Sequence, residues 1–141
     1  MKALLLILAL FASGAAQTAQ AAEKGPNLRS IMQDLSQQMQ KGTDAISRED
    51  WAALALIAPQ IAEHPAPAVT EKVRILTALG SDAARFRELD HQTHLAAEEM
   101  AEAARKGDGT AVIAAYARVQ TSCMACHQGF RARVRAALGA P

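Results

Sequence analysis

Large aromatic side chains are scarce in this 141-residue chain: one Trp, one Tyr and three Phe supply only 4% of it, although 50% of the residues are apolar. Cysteine is scarcer still, at two residues. Neither sign of charge dominates, since Lys+Arg 15 against Asp+Glu 14 gives a formal net charge of +1. Balanced charge excludes a strongly basic nucleic-acid binder. High apolar content with low net charge excludes intrinsic disorder, and the length predicts one domain. No apolar run reaches the roughly 20 residues that a membrane-crossing helix needs.

What is present begins with a leader-like segment. Met1-Lys2 is a short positive start, Ala3 to Ala12 is unbroken apolar sequence, and Ala19-Gln20-Ala21 supplies the small residues that signal peptidase accepts. The expectation is a signal peptide over residues 1–21, export to the periplasm of a Gram-negative bacterium, and one mature domain over 22–141. Cleavage removes Lys2 and leaves 14 basic against 14 acidic residues, so nothing points to polyanions or membrane surfaces. It also removes Phe11, leaving Trp51, Phe86, Tyr116 and Phe130 as the only aromatics. Either alanine-rich helices pack very closely, or a bulky group that is not an amino acid fills the interior.

In an exported chain two cysteines suggest a disulfide. Here they form Cys123-Met124-Ala125-Cys126-His127, the C-x-x-C-H pattern of covalent c-type haem attachment. Thiols at i and i+3 of a helical turn can add to the two vinyl groups on one porphyrin edge, and His127, four residues from Cys123, projects to the same side as a proximal iron ligand. A thioredoxin-like dithiol would follow a strand in a βαβ context, and none is near. A structural zinc site would need a second Cys/His pair that the sequence lacks.

The rest of the chain reads as helix. Leu28, Ile31, Met32, Leu35 and Met39 recur at helical spacing after Pro26, with Lys41-Gly42 as the expected end. Ser47 is the expected N-cap of a second helix over Trp51 to Ala62, which Pro59 should kink or divide. His64-Pro65-Ala66-Pro67 is an extended connector. A short amphipathic stretch, Val69 to Leu79, stops at Gly80. Ser81 should cap a long helix with Ala84, Phe86, Leu89, Thr93, Ala96, Ala97, Met100 and Ala104 inward. After Gly107-Asp108-Gly109, a last helix from about Thr110 to Leu138 carries Val112, Tyr116, Val119, Cys123, Phe130 and Val134 on one stripe. Four substantial antiparallel helices with short joints predict an all-α four-helix bundle, a fold that often carries a cofactor in its core.

Only fourteen residues follow His127. A haem motif this close to the C-terminus, with Gln128-Gly129-Phe130-Arg131 after it and Leu28-Arg29-Ser30-Ile31-Met32 in the first helix, resembles the class II c-type cytochromes, the cytochrome c-prime family and its low-spin relatives. The resemblance implies one covalent haem c in a four-helix bundle, redox proteins as partners, and dimerisation through the first two helices. It also implies that the residue facing the distal side of the haem decides function. An apolar residue there leaves the iron five-coordinate and open to nitric oxide or carbon monoxide, whereas a methionine makes a low-spin electron carrier.

Met32 is the candidate for that position, a soft thioether that raises the reduction potential opposite histidine. The alternative is a core methionine. Met39 and Met100 read as packing residues. Arg29 and Arg131 are candidates for bidentate pairing with the haem propionates, or ordinary surface arginines. Phe130 packs against either haem or core. His91, His94 and Glu98 have a spacing that suits a transition metal on a helix surface, although histidines on a charged helix are ordinarily solvated. His94 is also weighed as a haem ligand, and His64 reads as a structural or exposed residue of the connector. No nucleophile, general base or substrate-binding motif accompanies the haem signal. The reading is therefore an electron carrier and not an enzyme, with a five-coordinate gas binder as alternative. Peroxidase-like chemistry at an open iron is a weaker third reading, because it would want a distal acid or base that the sequence does not place.

Overall fold

The computed structural model describes residues 25–139. The signal-peptide reading of residues 1–21 lies outside the described residues. Five α-helices follow in order: α1 (Leu28–Ser47), α2 (Trp51–Ala62), α3 (Val69–Leu79), α4 (Ala83–Arg105) and α5 (Gly109–Ala137), with a 3-10 turn, Gly80–Asp82, between α3 and α4. No strand occurs among the described residues. The four longer helices make the antiparallel bundle, with α1 on α2, α2 on α4 and α4 on α5, while α3 crosses to pack on α5.

Helix ends differ from the sequence reading in instructive ways. Gly42 does not stop α1. It is buried, and Ala45 one turn on is fully buried against α2, so tertiary packing outweighs the roughly 1 kcal/mol that glycine costs inside a helix. The helix ends at Arg48, followed by Glu49 in the left-handed region at φ 54°. The amides of Asp50 and Glu49 bond back to the carbonyls of Ala45 and Ile46 at 2.9 and 3.0 Å, a Schellman closure built without glycine. Ser47 is therefore not an N-cap. It belongs to the last turn of α1 and its hydroxyl donates to Thr43 O, while Asp50 caps α2 by accepting from the Ala53 amide at 3.0 Å.

Pro59 sits within α2 without dividing it, three residues before the helix ends at Ala62. Ser81 lies in the 3-10 turn, and α4 starts at Ala83 with no side-chain cap. Asp108 caps α5 by accepting from the Ala111 amide at 3.0 Å. On α4 the inward residues are as expected except Ala84, which is exposed.

The core falls into two clusters. The larger joins Ala45, Leu54, Ala58, Ile61, Ala97, Met100, Val112, Ala115 and Val119, with Met39, Trp51, Tyr116 and Cys123 packed against it. The smaller joins Ile75, Leu79, Leu89, Phe130 and Val134, with Leu28, Phe86 and Cys126 against it. Alanine fills much of the larger cluster, the close packing that scarce aromatics require. Gly109 serves the same end: a Cβ there would stand 3.0 Å from Trp51 Cζ2, so the bare backbone lets the indole lie on the start of α5. No helix among the described residues is long and apolar enough to cross a membrane.

Candidate haem site

α5 presents the two cysteines at the seam between the clusters. Cys123 packs against the larger and Cys126, one turn on, against the smaller. Both are half-buried free thiols. Burial raises the Cys123 thiol above its usual range, a hydrogen bond from Thr93 partly offsetting it. Burial, with the neighbouring charges of Asp90 and Cys123, pushes Cys126 up to about 11. Both sulfurs are thus disfavoured as thiolates, and neither is in a disulfide. His127 is exposed at the edge of the same side of α5.

The seam is lined by polar side chains. Thr93 of α4 and Ser122 of α5 share a buried hydrogen bond, and Asp90 lies one turn before Thr93. Asp90 faces His64 from the connector and His94 from its own helix. Its carboxyl is held below the usual carboxylate range, first by the hydrogen bond to His64, and that same bond raises His64.

The other candidates are dispersed. Ile31 is 1% exposed and lines a cavity of about 200 Å³ with Leu35, Gln38 and His64, whereas Met32 is 37% exposed on the neighbouring flank of α1. Met39 is half-buried and Met100 fully buried in the larger cluster. Phe130 is buried and meets Phe86 edge-to-face at 5.5 Å between centroids, a core contact. Arg29 and Arg131 are exposed and form no ion pair among the described residues. His91 and Glu98 are both exposed, and no group with metal-binding geometry among the described residues includes them. The group with metal-binding geometry is His64, Asp90 and His94 instead. Asp90 was not legible as a partner because His64 reaches it only through the fold. Its i, i+4 spacing to His94 was the one available signal.

Residues 12–131 match the family model described as Cytochrome C'. The chain belongs to the cytochrome C' family. No curated protein and no solved structure matches it. As a cytochrome C' member it binds haem c covalently, and the residues present fit that group: two unpaired thiols, one helical turn apart, stand at the seam of a divided core. The family comprises haem-binding electron and ligand carriers, typically periplasmic and often dimeric. Its four-helix architecture agrees with the bundle found here.

Proposed function

We propose that this cytochrome is a periplasmic electron carrier, exported by cleavage of residues 1–21. In this reading Cys123 and Cys126 form the two thioether links to the haem, and His127 and Met32 are its axial ligands. One observation carries the axial pair. The Tyr116 hydroxyl of α5 bonds to the Thr43 hydroxyl of α1 at 2.6 Å, which sets the register of these antiparallel helices. Met32 lies eleven residues before Thr43, and His127 eleven residues after Tyr116. Eleven residues make just over three full turns, about 16 Å of rise, so both side chains return to the face that carries the bond, at one level of the bundle. The packing agrees with this register. Met39 and Cys123 border the larger cluster and Leu28 and Cys126 the smaller, so Met32 falls between the α1 pair.

Haem supplies a one-electron ferric/ferrous couple when bound. The chain supplies the rest. His127 and Met32 would hold the iron in both oxidation states, so little reorganisation would accompany transfer. The apolar clusters on either side of Cys123 and Cys126 exclude water and disfavour the more charged ferric state. Arg29 and Arg131, with no ion-pair partner among the described residues, would pair with the propionates.

Ile31 favours a second reading. It is the buried residue of this turn of α1 and borders a cavity, so a small shift in register would place an apolar side chain on the distal face and leave the iron open to nitric oxide or carbon monoxide. An optical spectrum of the purified ferric protein decides. The electron-carrier reading expects a low-spin spectrum with the far-red methionine-to-iron charge-transfer band, lost in Met32→Ala. A high-spin spectrum unmoved by that substitution overturns it.

A further inference from the structure

Three side chains from two elements converge beside the haem motif without belonging to it. His64 stands in the connector after α2, and Asp90 and His94 occupy successive turns of α4. Nε2 of His64 lies 3.4 Å from one carboxylate oxygen of Asp90, and Nε2 of His94 lies 3.5 Å from the other. The two rings are 4.5 Å apart between centroids and tilted by 31°. One ligand atom from each residue lies within 4.8 Å of the other two. The histidine side chains are 12% and 27% exposed and that of Asp90 is 51% exposed, so the cluster is walled by protein and open on one side.

The remaining ring nitrogens set the chemistry. A backbone carbonyl only accepts hydrogen bonds, so Nδ1 of His64 donates to Pro65 O at 3.2 Å, and Nδ1 of His94 donates to Ala62 O. A neutral ring held this way carries its lone pair on Nε2. Two such lone pairs and a carboxylate then face one another, an arrangement that a positive charge between them satisfies, either a proton shared by His64 Nε2 and Asp90 or a bound cation. Protonating both rings would put two cations 4.5 Å apart. One dication at the common point satisfies all three groups at once. A tetrahedral ion bound at about 2.0–2.1 Å keeps its ligand atoms about 3.3 Å apart, close to the 3.4 and 3.5 Å at which the two Nε2 atoms stand from the Asp90 carboxylate, each facing a different oxygen. A carbonyl behind each imidazole is the outer support that fixes tautomer and ring orientation in metal sites.

We propose that His64, Asp90 and His94 form a site for one divalent late first-row transition-metal ion, separate from the haem, with a fourth position open to water. Two imidazoles and one carboxylate suit Zn²⁺ or Cu²⁺, and offer too few oxygens for Ca²⁺ or Mg²⁺. The bound ion ties the His64-Pro67 connector to α4 one turn from Thr93, bracing the haem side of the bundle. The site does not depend on which residue is the distal iron ligand.

The test is titration of Zn²⁺ into the EDTA-treated, desalted holoprotein by calorimetry, with zinc K-edge absorption on the loaded sample. The expected result is one Zn²⁺ per chain with a first shell of two imidazole nitrogens and one carboxylate oxygen, and affinity at least about tenfold weaker in His64→Gln, Asp90→Asn and His94→Gln. Asp90→Asn keeps side-chain volume, so it stays informative if a histidine variant folds poorly. Absence of stoichiometric binding, or wild-type affinity in Asp90→Asn, overturns the proposal. So does a changed haem Soret band in His64→Gln or His94→Gln, which would make that histidine an iron ligand. Loss of the methionine-to-iron band in Met32→Ala leaves the zinc result untouched, so this proposal and the electron-carrier reading fail separately.

Discussion

Thr93 and Ser122 are hydrogen-bonded to each other at 2.8 Å, buried between α4 and α5 one residue from the first cysteine of the haem motif. Each hydroxyl also reaches a carbonyl of its own helix, Thr93 to Leu89 O at 3.0 Å and Ser122 to Val119 O at 2.9 Å. Each hydroxyl has one proton, so one bridges the helices while the other returns to its own backbone. This pairing lets two polar groups lie at the seam of an otherwise apolar interior without an unsatisfied donor.

Removing either partner loses the bridge but leaves the other hydroxyl a backbone acceptor. Ser122→Ala and Thr93→Val are therefore each expected to cost about 0.5–1.5 kcal/mol, and the double variant about as much as either alone. Urea denaturation of the four proteins checks this. A double variant that costs the sum of the two singles would show that the hydroxyls are not coupled.

Gly109→Ala is expected to destabilise the protein by about 1–3 kcal/mol, because the new methyl meets the Trp51 ring at 3.0 Å and the indole is held by the larger cluster. The cost arises from that contact and not from the helix, where alanine is the better residue. In a Trp51→Leu background the same substitution is expected to be neutral or stabilising. Thermal denaturation of the two pairs separates contact from propensity.

The bundle was legible because its helices are strongly periodic, and the haem motif because five contiguous residues carry it. Both are local facts. The ends of α1 and α2 were not legible, because a buried Ala45 carries the helix past Gly42 and a left-handed Glu49 closes it where sequence alone favours glycine. Choosing between Ile31 and Met32 needs the rotation of α1 about its axis. Adjacent residues lie 100° apart, and only packing against α2 and the connector turns Ile31 inward. The His64, Asp90 and His94 cluster was half visible, through the i, i+4 pair on α4. Its third member comes from a connector 26 residues earlier than Asp90 in the chain.

Tyr116→Phe removes the hydroxyl that sets the register of α1 against α5. The pair is exposed, so the expected loss of stability is below about 1 kcal/mol. The expected spectroscopic effect is larger. On the proposed ligation, a loosened register lets the Met32 thioether leave the iron more readily on warming, and the methionine-to-iron band is expected to fade at temperatures well below the unfolding midpoint. Absorbance followed through a thermal ramp, beside the same ramp by circular dichroism, measures both. If the band persists to the midpoint as in wild type, the Tyr116–Thr43 bond has no part in holding the axial ligand.

Arg133 closes the corner where α3 turns into α4. One guanidinium nitrogen donates to Asp82 at 2.7 Å and the other to Leu79 O at 2.9 Å, so a residue of α5 satisfies a last-turn carbonyl of α3 and holds the 3-10 turn between them. Lysine has a single compact ammonium and cannot reach both acceptors in this geometry. The side chain is 43% exposed and its charge is partly screened, so Arg133→Lys is expected to cost about 0.5–1 kcal/mol. Asp82→Asn, which keeps an acceptor and leaves the carbonyl bond intact, is expected to cost less. Hydrogen exchange adds a local reading: amide protection should fall in the last turn of α3 in Arg133→Lys while the amides of α2 stay as protected as in wild type. Equal loss of protection in both helices would mean that the arginine stabilises the whole bundle and not this corner.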